Sequence, residues 1–199
     1  MKKILLLFIV CICFSSCFTT KKYHVAENNA KQTLEQNGIT VISEYLNEGE
    51  LAKRHGRGDD NPYIAREFAL TPVYSLVFEV EIKNKSSMTI KYDSRETELY
   101  FGEKSTRASV VSDIETNQED EKYLKGSDRL ARVRLAKKTM YNNIVRIRPG
   151  ESYKRYIVFR NNFRQRGECI FHLPLMYNSG NVAEEFEFTY QLAKKTQQK

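Results

Sequence analysis

Two stretches of this chain place an apolar side chain at every second position, and this restricts what the chain can fold into. The stretches span residues 73–83 and 184–192, and the positions between the apolar ones are mostly polar. A period of two residues is the period of a β-strand with one buried face and one solvated face. We therefore expect Glu79 and Glu187 to face solvent. The residues expected in the core are Phe78, Val80, Ile82, Phe186, Phe188 and Tyr190.

Shorter segments of the same kind, bounded by turn residues, accompany these two strands. The chain has 12 Tyr and 11 Phe but no Trp, and aromatic residues favour pleated, half-buried surfaces. The pattern predicts an all-β fold, an antiparallel β-sandwich of seven or eight strands over residues 39–192. The further expected strands are residues 39–46, 88–92, 97–101, 141–148, 153–160 and 169–175, and residues 107–112 are an additional candidate.

Composition predicts what lies outside and between these strands. Residues 25–37 are rich in helix formers and precede Gly38, which predicts a short N-terminal helix that ends at that glycine. Residues 47–62 and 113–128 are polar and charged, so we expect two long exposed loops. Residues 193–199 are expected to form a polar tail.

Residues 1–17 have the composition of an export signal. Lys2 and Lys3 precede an apolar run over residues 4–14, which small residues and Cys17 then follow. A charged start, a short apolar run and small residues before a break are typical of a secretory signal peptide. The run is shorter than the roughly 20 residues that span a bilayer.

The tetrapeptide Phe14-Ser15-Ser16-Cys17 resembles the lipobox of bacterial lipoproteins, although that family prefers Leu at the position of Phe14. The resemblance implies that residues 1–16 are removed as a signal peptide and that Cys17 is acylated. Residues 17–38 would then be a lipidated tether with the short helix. The membrane would be a partner through the lipid on Cys17, in the bacterial cell envelope and at the outer membrane. The alternatives are an ordinary signal peptide cut elsewhere and an uncleaved N-terminal anchor.

Three later segments resemble parts of the small immunoglobulin-like domains found in bacterial lipoproteins. They are Val77–Ser86, Arg148–Ser152 and Tyr156–Phe159. In those domains a strand ends in an Asn-x-Ser turn, and a later Pro-Gly-Glu turn precedes a strand that ends in Phe. The resemblance implies an immunoglobulin-like sandwich and an envelope location, and it implies no defined activity.

Positive charge is concentrated in the second half of the chain. Residues 121–166 contain 14 Lys and Arg but only 3 Asp and Glu. If one face of a sheet gathers these cations, they would bind an anionic envelope ligand or an acidic protein partner through long-range attraction and Arg hydrogen bonds. Alternatively, they pair with acids from residues 17–120. The candidate anion-binding residues are Arg129, Arg132, Arg134, Lys137 and Lys138.

The remaining motifs do not indicate catalysis, and we expect no cofactor, metal or nucleic-acid partner. The sequence has no Gly-x-Ser-x-Gly, His-Glu-x-x-His or glycine-rich phosphate loop, and its three His lie far apart. The triplet Arg57-Gly58-Asp59, which some adhesion receptors bind, lies in a predicted loop. The sequence therefore predicts a non-catalytic binding or assembly module. The alternatives are an enzyme acting on envelope polymers and a structural partner that pairs through an edge strand.

Overall fold

The structure is a computed structural model that describes residues 21–26, 30–64, 74–116, 124–141, 144–161 and 167–197. The signal-peptide and acylation predictions fall on residues 1–17 and therefore lie outside the described residues. The strands are β1 Lys21–Ala26, β2 Lys31–Gln36, β3 Ile39–Leu46, β4 Tyr74–Asn84, β5 Ile90–Asp93, β6 Glu98–Phe101, β7 Lys104–Arg107, β8 Ile144–Ile147, β9 Ser152–Asn161, β10 Gly167–Tyr177 and β11 Val182–Gln197. The helices are α1 Glu48–His55, α2 Val111–Glu115 and α3 Gly126–Thr139, with a 3-10 turn at Ser94–Glu96.

The strands form two antiparallel sheets. The larger sheet has the order β1-β11-β10-β5-β8, with β6 also on β10 and β7 on β6, and the smaller sheet has the order β2-β3-β4-β9. β5 and β6 pair with the two ends of β10, so they act as one strand that the 3-10 turn interrupts. The prediction of an antiparallel all-β fold is confirmed. The described part of the chain has eleven strands, more than the seven or eight expected.

The core lies between the two sheets and is centred on Phe78. Its ring stacks on Phe171 with centroids 4.9 Å apart, and it lies 5.0 Å from Tyr190 and 5.9 Å from Phe159. All six residues that the alternation assigned to the core are fully buried. A period-two pattern was sufficient here because β4 over residues 76–82 and β11 over residues 186–192 present alternate side chains to the opposite sheet.

The smaller sheet is covered on its other face as well. Helices α1, α2 and α3 lie against that face and form a second apolar cluster with it. The sheet contributes Leu46, Val77, Tyr156 and Val158, and the other members are Leu51, Tyr63, Val111, Ile114, Ala136 and Met140. Glu79 lies on the same face, and its side chain keeps only 14% of its exposure, so the expectation that it faces solvent is wrong. Glu187, on the outer face of the larger sheet, is exposed as expected.

The predicted N-terminal helix over residues 25–37 is wrong, because most of its described residues lie in β1 and β2. Asn37 and Gly38 have φ values of 47° and 76°, the left-handed pair that a two-residue type I′ hairpin turn requires. Gly38 therefore turns β2 back against β3 and does not end a helix. As a helix, residues 25–37 would have few apolar contacts, whereas pairing with β3 stabilises the extended conformation of β2.

The two predicted long loops are wrong in part, because each contains helical residues. Asn47 caps α1 with a capping box, in which its side chain accepts from the Glu50 N–H and the Glu50 carboxylate accepts from the Asn47 N–H. The second predicted loop contains the end of α2 and the start of α3. Residues 193–197 extend β11 and do not form a free tail.

The two turns quoted for the immunoglobulin-like resemblance contact each other at one end of the sandwich. The Asn84 N–H donates to the Glu151 carbonyl at 3.0 Å, and the Gly150 N–H donates to the Asn84 carbonyl at 2.7 Å. The Asn84 side chain is buried and donates to the carbonyls of Met88 and Ile147. This one asparagine therefore joins the end of β4 to the end of β8 and the turn after it.

Candidate functional site

All five candidate anion-binding residues lie on α3, which was not predicted as a helix. The structure therefore places them in the helical layer over the smaller sheet and not on a sheet face. The helix presents Arg132 and Ala136 inwards, and Arg134, Lys137 and Lys138 outwards. The five residues consequently have different surroundings, and they do not act as one patch.

Arg132 is a buried residue with a structural role. Its side chain is 3% exposed, and its Nη1 donates to the carbonyl oxygens of Asp59 and Asn61, each at 2.8 Å. Asn61 is itself buried and donates from Nδ2 to the Gly56 carbonyl at 2.8 Å. A buried guanidinium needs such acceptors, because desolvation without them is costly. Arg132 therefore fixes the 56–61 loop against α3 and does not face an external anion.

Two further candidates join α3 to α2. The Arg129 Nη2 donates to the Glu115 carbonyl at 2.7 Å, and the Lys137 ammonium lies 2.7 Å from the Glu115 carboxylate. Lys137 and Glu115 keep 56% and 40% of their side-chain exposure, so their attraction is screened by water. These contacts position the short α2 helix beside α3.

The remaining candidates, Arg134 and Lys138, lie with Lys137 and Leu130 on the solvent-facing side of α3, and we call these four residues the outer stripe. Arg134 and Lys138 are exposed and four residues apart, so their side chains lie on the same side of the helix. Leu130 lies one turn before Arg134 and is 58% exposed. Lys137 and Lys138 also lie in the last turn of α3, where cations stabilise a helix by opposing its dipole.

A polar cluster that the sequence analysis missed lies at the C-terminal end of α1. The Glu79 carboxylate contacts the Arg54 guanidinium through one oxygen and the Lys154 ammonium through the other, each at 2.8 Å. The Tyr156 hydroxyl lies 3.1 Å from His55 Nε2 and accepts from Arg54 at 3.3 Å. The cluster therefore ties α1 to strands β4 and β9 through charge-assisted hydrogen bonds.

Electrostatics favour the neutral form of His55 in this cluster. Burial, followed by the nearby charges of Arg54 and Lys138, lowers the pKa of His55 from its ordinary 6.5. A neutral imidazole accepts a hydrogen bond at Nε2, which fits a Tyr156 hydroxyl that donates to it. Periodicity could not find this site, because Glu79 and Tyr156 become neighbours only when β4 pairs with β9.

A second polar group lies on the outer face of the larger sheet. The Tyr100 hydroxyl donates to Glu98, and this hydrogen bond lowers the pKa of Glu98. Arg107 Nε donates to the other Glu98 oxygen at 3.4 Å. His172 faces the same side, and its Nε2 lies 3.7 Å from the Glu185 carboxylate.

The other sequence features occupy simple environments. Burial raises the pKa of the Cys169 thiol to about 12, so this cysteine is a small apolar core residue. Arg57, Gly58 and Asp59 are exposed in the loop after α1. Across the described ranges, no cluster of three or more His, Cys, Asp or Glu is arranged to hold a metal ion. In the same part of the chain no helix has the length and apolar character needed to cross a membrane.

Comparison with known proteins assigns no family. No family model matches the chain, and none of the curated proteins matches it. A solved structure described as Northeast Structural Genomics Consortium target SoR45 aligns over 86% of this chain and 90% of its own, with 11% identity and a TM-score of 0.34. A likeness at that identity and TM-score assigns neither a fold family nor an activity.

Proposed function

We propose that this protein is a lipid-anchored bacterial cell-envelope protein whose immunoglobulin-like sandwich is a non-catalytic binding or assembly module. The observation that carries the proposal is Cys17 after a charged start, an apolar run and two serines. The first strand, β1, begins at Lys21, only four residues later. An acylated Cys17 would thus hold the folded domain close to the membrane surface, since buried acyl chains contribute about 0.8 kcal/mol per CH₂.

The immunoglobulin-like assignment is supported by the contact between the two turns that carry the resemblance. The Asn84 turn and the Pro149-Gly150 turn exchange backbone hydrogen bonds with each other. Each turn connects the two sheets, the first from β4 to β5 and the second from β8 to β9, so their contact closes one end of a two-sheet sandwich. The helical layer on the smaller sheet is an addition to such a domain.

The roles of the buried polar groups support binding rather than catalysis. Arg132 holds a loop, and Glu79 is paired with two cations that tie α1 to the sheet. His55 hydrogen-bonds to Tyr156 within the same cluster. Each of these groups joins one element to another, which is what a rigid binding scaffold requires.

The outer stripe of α3 is the surface that we assign to an acidic protein partner or anionic envelope ligand. It combines the exposed cations Arg134 and Lys138 with the exposed Leu130. An apolar side chain among cations suits a contact that buries apolar area and is oriented by charge. Crosslinking in intact cells, with the chain and its Leu130→Ser/Arg134→Gln/Lys138→Gln variant, tests this assignment. A partner captured equally by both proteins would refute it.

Intact-mass analysis of the mature protein tests the anchor. We expect loss of residues 1–16 and an added acyl mass on Cys17. Cys17→Ala should abolish acylation, whereas Cys13→Ala, which changes a cysteine inside the apolar run, should leave it unchanged. A mature N-terminus elsewhere, without lipid, would overturn the proposal.

A further inference from the structure

Strand β1 and the end of strand β11 form a ribbon beyond the rest of the larger sheet. β1 pairs with β11 from Lys21 opposite Gln197 to Ala26 opposite Leu192. β10 pairs with β11 only as far as Gly167 opposite Leu192. Within the described residues, positions 21–25 and 193–197 thus form a two-stranded extension, which we call the lysine ribbon.

The lysine ribbon has four lysines and no acidic residue. Lys21 and Lys22 lie at the start of β1, and the register places Lys194 and Lys195 opposite His24 and Tyr23. With about 3.3 Å per residue and about 4.8 Å between strands, the four lysine positions fall within roughly 10 Å along the ribbon. Pairing therefore collects a net charge of +4 from two ends of the chain.

The ribbon is also close in sequence to the proposed lipid attachment. Lys21 lies four positions after Cys17 in the chain, so their Cα atoms are at most about 14 Å apart. This step rests on the proposed function, because it needs acyl chains on Cys17. It follows that an acylated Cys17 would hold the positive charge within about one or two Debye lengths of the lipid headgroups.

We propose that the lysine ribbon binds the anionic phospholipid headgroups of the membrane that holds the Cys17 acyl chains. A cluster of lysines beside a lipid anchor is a second membrane signal, and each lysine strengthens binding to an anionic surface about fivefold. Binding through the ribbon orients the domain with β11 pointing away from the membrane surface. The Asn178–Gly180 turn before β11 then lies far from the membrane, since the strand's 16 residues span roughly 50 Å.

The test uses the acylated chain in vesicles of phosphatidylcholine, with and without phosphatidylglycerol. A nitroxide is attached through Thr196→Cys on the ribbon or, as a control, through Asn178→Cys at the opposite end of β11; Cys169 is buried and does not compete. We expect phosphatidylglycerol to increase contact of the residue 196 label with lipid and to leave the residue 178 label in water. High salt should reverse the change.

Replacing Lys21, Lys22, Lys194 and Lys195 by Gln should weaken this contact on the order of several hundredfold, since each lysine contributes about fivefold. The control is Lys53→Gln/Lys85→Gln, two exposed lysines outside the ribbon, which should have no effect on the residue 196 label. If the control variant releases the label as much as the ribbon variant does, or if phosphatidylglycerol does not change the contact of the label with lipid, the inference is wrong. Mass analysis of the same sample separates the proposed lipid anchor from the proposed headgroup binding. An unacylated chain overturns both proposals. An acylated chain whose residue 196 label does not respond to phosphatidylglycerol overturns only the headgroup binding.

Discussion

Replacing Arg132 by Ala should destabilise the fold strongly, although arginines on helices are usually surface residues. The side chain is 3% exposed and donates two hydrogen bonds to loop carbonyls. Hydrogen bonds from a charged donor contribute about 1.5–3 kcal/mol each, so losing both would cost about 3–6 kcal/mol. Removing the buried charge recovers part of its desolvation cost. We therefore expect a net loss of about 3 kcal/mol in the free energy of unfolding.

Urea denaturation measures this loss directly, and Arg134→Ala is the matched control. Arg134 is the same residue type on the same helix but is exposed, so its replacement should change stability by about 0.5 kcal/mol or less. For a chain of this size the Arg132 variant should also melt roughly 6–12 °C lower. Arg132→Lys should rescue only part of the loss, because an ammonium lacks the planar fork of a guanidinium.

Equal stabilities of the Arg132→Ala and Arg134→Ala proteins would refute this reasoning. They would mean that the Arg132 contacts are replaced by water at no cost, so the 56–61 loop would not depend on α3. The comparison also bears on anion binding. A charge reversal that included Arg132 would destabilise the fold whether or not α3 binds an anion, so the cations changed in binding tests on α3 should be Arg134 and Lys138 and not Arg132.

Three further predictions concern the core, a turn and pH. Phe78→Ala should cost about 3–5 kcal/mol in urea denaturation, against about 0.5 kcal/mol or less for the exposed Glu187→Ala, and similar values would contradict the packing. Gly38→Ala should cost about 1–2 kcal/mol because φ is left-handed there, whereas Gly126→Ala, at the start of α3 and without close neighbours, should be near neutral by the same assay. Folding lowers the pKa of His55, so the unfolded chain takes up a proton first as the pH falls below 6.5. The free energy of unfolding should therefore decrease from pH 6.5 down to the lower pKa of the folded state. His55→Gln should flatten that part of the plot of stability against pH, and an unchanged plot would refute the assignment to His55.

Local sequence patterns were sufficient to predict buried residues where burial repeats with the period of the secondary structure. The alternation along β4 and β11 placed six residues in the core, and all six are buried there, because strand period and burial period coincide. The same reasoning failed for α3, since its inward positions are Arg132 and Ala136 and so give no apolar stripe. It also failed for β2, where helix-forming residues precede the Asn37-Gly38 turn and pairing with β3 decides the conformation.

The sequence by itself determined the two-sheet character, the central core and the prediction of an exported, acylated N-terminus. Only the tertiary structure decided what the charges do. Arg132 is held by carbonyls 71 and 73 residues earlier in the chain, and pairing of β1 with β11 brings positions 21–22 and 194–195 into one ribbon. The physical reason is the distance along the chain over which each effect acts. Hydrophobic periodicity is a property of neighbouring residues, whereas the energy of a charge depends on every group that folding brings near it.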